Sequence, residues 1–126
     1  MTALGWSIQK HDKLVIVNGV GVFDLPFFLA YLQAMEEADA IGYCKFLDLR
    51  QADIRLSGDD LASIGRLTRQ PSAMQPGPVA ILVGKNPPPL MLDMAILLKQ
   101  RVGTSRRFRL FTEEPEARLW LAAVST

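Results

Sequence analysis

Trp6, Ile8 and Lys10 alternate with Ser7 and Gln9 in the stretch GWSIQK. That period of two predicts a strand over residues 5–10 with one face turned inward. His11 and Asp12 make a short turn. In KLVIVNGVGVF, Leu14, Val15, Ile16 and Val17 are apolar on both faces. This predicts an interior strand over residues 13–22, antiparallel to the first, with Gly19 and Gly21 bending or bulging its far end. The period then lengthens. In DLPFFLAYLQAMEEADA, Leu25, Phe28, Leu29, Leu32 and Met35 form one helical stripe. Asp24 is its expected N-cap, Pro26 fits the first turn, and Gly42 ends the segment.

YCKFLDLRQA predicts the next strand, over residues 43–50. Cys44, Phe46 and Asp48 share one face; Lys45, Leu47 and Leu49 share the other. SGDDLASIGRLTRQ reads as a helix with Leu61, Ile64 and Leu67 inward, stopped by Pro71. PSAMQPGP is a loop. VAILVG, within residues 78–84, is a second strand buried on both faces. KNPPP turns into a third helix, LMLDMAILLKQRVG, with Lys99 and Arg101 near its end and Gly103 as the stop. RRFRLF, residues 106–111, gives the last strand. TEEPEARLWLAAV gives the last helix, capped by Thr112 and acidic in its first turn at Glu113, Glu114 and Glu116. The order is β-β-α-β-α-β-α-β-α. It implies an α/β domain with a mainly parallel five-stranded sheet, an antiparallel N-terminal strand and four helices.

Length and composition agree with one domain over residues 1–126. The chain is 49% apolar and 21% charged, which is ordinary for a globular protein. A net charge of +1 argues against nucleic acid as the main partner. The basic run Lys99, Arg101, Arg106, Arg107 and Arg109 has only Phe108 as an interleaved aromatic, so no stacking platform is expected. No apolar run reaches the roughly 18–20 residues of a membrane span. No secretory signal is read in MTALGWSIQKHDK. The single cysteine, Cys44, allows no intrachain disulfide. The expected setting is cytoplasmic.

The search for chemistry ends without a catalytic constellation. His11, the only histidine, sits in a turn. No cysteine–histidine spacing suggests zinc, so no metal is expected. NGVGVFD lacks the third glycine of a dinucleotide fingerprint, VGKN lacks the rest of a phosphate loop, and no nucleophile elbow occurs. No cofactor and no catalytic residues are assigned.

The block FLDLRQADIRLSGDDLASIGRL and the ending FRLFTEEPEARLWL, with Phe111, Glu116, Ala117, Trp120 and Leu121, resemble the STAS-like family (sulphate transporter and anti-sigma-factor antagonist). Within it, the chain looks like the bacterial single-domain SpoIIAA-like proteins. The resemblance implies a SpoIIAA-like fold over nearly the whole chain. That fold also houses the lipid-binding CRAL-TRIO (SEC14-like) domains. In regulatory STAS proteins a serine at the start of the helix after this strand is phosphorylated by a partner kinase, which releases the partner. Ser57 occupies that place and Gly58 follows it, while Leu56 stands where those proteins carry aspartate.

The residues themselves give Ser57 a second role. Asp60 follows three positions on, close to a capping box with aspartate in place of Glu/Gln. Ser57 is thus a candidate phosphoacceptor or helix cap, with the cap preferred. Around it, Arg55, Asp59, Asp60, Arg66 and Arg69, with Arg50, form a candidate surface for an anion or a protein partner. The third helix is apolar on two stripes. Met91, Ala95, Leu98 and Val102 make one; Leu90, Met94 and Leu97 make the other. Leu90, Met91, Met94 and Leu97 are therefore a candidate homodimer contact or the wall of an apolar small-ligand site. The first functional expectation is a non-enzymatic STAS-like module that binds an unknown protein partner. The alternative is an apolar-ligand or lipid-binding domain of the CRAL-TRIO-like type.

Overall fold

A computed structural model of the protein describes residues 3–68, 77–84 and 108–124. Strands β1 (Gly5–Gln9) and β2 (Leu14–Asn18) form an antiparallel hairpin, in register from Gly5↔Asn18 to Gln9↔Leu14. Lys13 closes the turn in the left-handed region, φ 51. Strand β2 then pairs in parallel with β4 (Cys44–Asp48). Strand β4 pairs with β6 (Val79–Leu82), and β6 with β7 (Phe108–Phe111), both in parallel. The five-stranded sheet runs β1-β2-β4-β6-β7. It is mainly parallel with an antiparallel N-terminal strand.

The second strand does not continue to residue 22. It stops at Asn18, because Gly19 adopts φ +118 and has no room for a Cβ against the Ala3 carbonyl. The chain restarts as β3 (Gly21–Asp24), which leaves the main sheet and pairs in parallel with β5 (Ala52–Arg55). This two-stranded sheet escapes the sequence pattern, since Ala52–Arg55 alternates with only one large apolar residue, Ile54.

Helix α1 (Leu25–Glu37) starts where Asp24 Oδ1 accepts the Phe27 N–H at 3.0 Å. It ends well before Gly42. Asp39, φ 57, follows the cap Ala38; the Asp39 N–H donates to Glu36 O and the Ala40 N–H to Met35 O. These are the two bonds of a Schellman motif, with aspartate where glycine is usual. The inward stripe also differs from expectation. Tyr31 and Met35 are buried and Phe27 packs with them, whereas Leu29 is 45% exposed. Trp6 draws Phe27 and Tyr31 inward through edge-on contacts at 5.5 and 5.9 Å, which turns Leu29 toward solvent.

Helix α2 (Gly58–Thr68) buries Ile64 with α1 on one face of the sheet, against Val15, Val17, Leu49, Val79 and Ile81. Helix α3 (Glu114–Val124) covers the other face, where Ala117 and Leu121 meet Phe46, Ala80, Leu82 and Phe111. Strand β6 is buried throughout and divides residue by residue between the layers. Three helices are described; the helix expected over LMLDMAILLKQRVG falls outside the described residues. Apart from Asp48, which ends β4 half-buried, the expected faces of β4 are occupied: Phe46 and Cys44 toward α3, Leu47 and Leu49 toward α1.

One residue on β4 is unlike its surroundings. Lys45 is only 3% exposed. Its ammonium donates to the carbonyls of Ala40, Ile41 and Tyr43 at 3.2, 2.6 and 2.7 Å. A buried charge is tolerated only when its hydrogen bonds are made, and here the turn after α1 supplies the acceptors.

The break at Gly19 yields a first expectation. Gly19→Ala forces a Cβ into a left-handed position already filled by Ala3 and Leu4 backbone. It should lower the unfolding free energy by about 2 kcal/mol or more in urea titrations. Gly58→Ala, where a Cβ meets nothing within 4 Å, should cost far less.

Candidate functional site

Strands β2 and β4 run side by side in the same direction, so their carboxyl ends emerge together. There Gly19, Asp48, Arg50 and Gln51 line a cleft of about 290 Å³. The spacing Asp-Leu-Arg places Asp48 and Arg50 on one side of an extended chain. Arg50 grips Asp48 through two parallel bonds, Nε to Oδ1 at 2.9 Å and Nη2 to Oδ2 at 2.8 Å. Its Nη2 also reaches Glu114 Oε1 at 3.3 Å, and Arg118 Nε donates to Glu114 Oε2 at 3.2 Å. Arg118 lies over the Phe46 ring, 4.7 Å from its centre. Two acids and two bases thus fasten the first turn of α3 to the end of β4. The side-chain bond from Arg50 holds the Asp48 carboxyl below its ordinary range, against the opposing effect of partial burial.

The second polar assembly surrounds the start of α2. The Ser57 N–H donates to Asp60 Oδ2 at 2.9 Å, and the Asp60 N–H donates to Ser57 Oγ at 3.0 Å. This reciprocal exchange occupies two backbone donors at the helix start. Asp59, in the same turn, is exposed. Arg55 Nε donates to Asp53 Oδ2 at 2.8 Å, again across a two-residue spacing. Arg66 sits in the last turn of α2 and donates to Ser63 Oγ at 3.1 Å. Arg50 and Arg55 are therefore each paired with the aspartate two residues before them, and Arg66 lies at the far end of the helix from Ser57. Ser57, Arg55, Asp59 and Asp60 are brought together; Arg66 is not part of that group.

On the α3 face, Asp12, Leu14, Cys44, Phe46, Arg118, Leu121 and Ala122 line a groove of about 200 Å³. The first recess is at the lower end of the roughly 300–1,000 Å³ of usual small-molecule pockets, and the second is smaller. Among the described residues no group of three or more His, Cys, Asp or Glu could hold a metal. No helix among them is long and apolar enough to cross a membrane.

No protein-family model matches the sequence, and no curated protein matches it. A solved structure does. It is an uncharacterised protein of the DUF3478 family with a SpoIIAA-like fold, from Shewanella loihica PV-4. Identity is 20%, the match covers 94% of this chain and 92% of that one, and the TM-score is 0.58.

The fold is SpoIIAA-like.

On this SpoIIAA-like frame, Ser57 opens the helix that follows β5. Arg69 and the apolar candidates Leu90, Met91, Met94 and Leu97 lie outside the described residues. Sequence reading missed the Arg50–Asp48–Glu114–Arg118 cluster. Half of its signal was visible in the Asp-x-Arg spacing; the contact to Glu114 joins residues 64 positions apart.

The Asp48 pairing sets a pH dependence. Its folded-state pKa is depressed, so its stabilisation is present above the unfolded carboxylate range, near 3.9, and is lost as pH falls through the lower folded value. Acid titration of unfolding stability should therefore fall less steeply below about pH 4 in Asp48→Asn than in wild type. Identical slopes would remove Asp48 from the account.

Proposed function

We propose that the protein is a non-catalytic SpoIIAA-like interaction module. It docks a protein partner on the platform formed by β3, β5 and the first turn of α2. One observation carries this reading: the fold builds a separate parallel ladder, β3 with β5, to hold a surface that faces water. Parallel strands are normally covered on both faces. Here Phe23 is buried and its partner Ile54 half-buried, while Val22, Asp53 and Arg55 are exposed. Exposed Val20 and Val22 lie beside the Asp53–Arg55 pair, and β5 leads directly into Ser57 and Asp59. A rigid patch with an apolar centre and a polar rim suits recognition of a protein surface.

Ser57 serves this platform first as the cap of α2, and its reciprocal bonds with Asp60 support that role. A phosphate there would meet the free N–H groups of the first turn but would also stand beside Asp59 and Asp60.

Two measurements test the reading. Ser57→Ala should lose about 1 kcal/mol of unfolding free energy and Ser57→Asp should stay near wild type, because aspartate also caps. Equal stability of all three would take the cap away. A photo-crosslinking residue at Arg55 should give a discrete protein adduct in bacterial cells. The same residue at Leu119, 73% exposed on α3, should not. No adduct at Arg55, or the same adducts at both sites, would overturn the platform.

A further inference from the structure

Strand β1 is an edge of the five-stranded sheet. The neighbouring ladders show which of its backbone groups face outward. The Cys44 N–H donates to Lys13 O at 3.1 Å where β2 and β4 begin to pair. Backbone groups alternate sides along a strand, so Lys13, Val15 and Val17 face β4. Leu14, Ile16 and Asn18 then face β1. Their partners are Gln9, Ser7 and Gly5. Those three residues direct their N–H and C=O groups to β2. The N–H and C=O groups of Trp6 and Ile8 therefore point away from the sheet, and among the described residues nothing accepts or donates to them.

Edge strands are usually defended by charge, proline or a bulge. The five residues Gly-Trp-Ser-Ile-Gln carry none of these, and all five pair with β2 without interruption. Among the described residues little stands over the flanks of this edge. Phe27 touches Trp6, and Ala30 and Ala34, which follow Phe27 at helical spacing, carry short side chains. On the opposite face Ser7 is exposed, and α3 packs over β4, β6 and β7 instead.

The geometry points to a homodimer in which β1 pairs antiparallel with β1 of a second copy, about a twofold axis at Ser7. The strand is complementary to itself in this register. Trp6 faces Ile8 of the second copy, and Ile8 faces Trp6. These are the residues whose backbone groups point outward, so each such pair exchanges both of its main-chain bonds. Ser7 meets Ser7 in the intervening non-hydrogen-bonded position. The Trp6–Ile8 contacts add an aromatic-to-branched pair beside Phe27 and Tyr31, on the α1 side. The two sheets become one. A strand from another protein could use the same edge; a second copy uses both outward-facing residues and brings a Trp6–Ile8 pair together on the α1 side twice over. This contact does not involve the Leu90 stripe or the β3–β5 platform.

Sedimentation equilibrium of the full chain should show reversible dimerisation between about 10 µM and 1 mM. Ser7→Lys should abolish it and leave the circular dichroism spectrum and urea midpoint unchanged, because the side chain is exposed and two lysines would stand opposite each other. Ser7→Cys supplies the register test. A non-hydrogen-bonded antiparallel pair sets its Cα atoms about 4.5 Å apart, within disulfide range. Mild oxidation should give a dimer linked between the introduced thiols, identified by peptide mass spectrometry. Lys10→Cys, and wild type with Cys44 alone, should stay unlinked. A wild-type monomer at about 1 mM, unaltered association in Ser7→Lys, or equal linking of Lys10→Cys would each overturn the proposal.

Discussion

The ammonium of Lys45 is the constraint on which this fold closes. Helix α1 must stop and reverse into the central strand within a few residues, which leaves a run of carbonyls without helical partners. The Schellman bonds occupy those of Met35 and Glu36. Lys45, reaching back from the start of β4, takes those of Ala40, Ile41 and Tyr43. The same turn also receives the next strand. The Gly77 N–H donates to Ile41 O, the Lys45 N–H donates to Pro78 O, and a Cβ at Gly77 would collide with the Gly42 and Tyr43 carbonyls. The buried Lys45 side chain and these backbone bonds together fix the amino ends of β4 and β6 against the end of α1.

That arrangement places the rigid and the polar parts at opposite ends of the same strands. Asp48 lies at the carboxyl end of β4, away from Lys45, and its pairing with Arg50 joins α3 to the sheet through Glu114. These guanidinium groups are already matched by carboxylates, so the cluster fastens elements together and does not present a free anion site. The outward-facing features lie elsewhere. The β3–β5 ladder carries an exposed face into α2, and β1, at the edge of the sheet, has outward backbone groups that none of the described residues pairs. A SpoIIAA-like fold does not choose among functions; the proposed interaction role rests on these surfaces.

Most of the fold was legible because its signals are local or periodic. Val79–Leu82 is apolar at every position, as a strand covered on both faces must be. Trp6 and Ile8 alternate with polar neighbours, as a strand covered on one face does. The Ser57–Asp60 spacing lies within one helical turn. What escaped depends on distant partners. Lys45 looks like an ordinary polar position until the turn before it curls its carbonyls inward. The residues of β5 become a strand only because Gly19 diverts β3 toward them. Leu29 lost its expected burial to Tyr31, because Trp6, brought over by the hairpin, rotates the inward face of α1. The Arg50–Glu114 contact has no local signature at all.

The most direct test is the stability of Lys45→Met in urea, together with amide hydrogen exchange at Gly77. Methionine keeps the apolar stem and removes the donors. If the ammonium holds the turn, the variant loses at least about 2 kcal/mol, since the Tyr43 carbonyl loses its donor and the Ala40 and Ile41 carbonyls each keep only a backbone N–H, and the Gly77 amide loses its protection. A variant as stable as wild type, with Gly77 still protected, would contradict the account: the buried charge would then be replaceable by a well-packed apolar side chain.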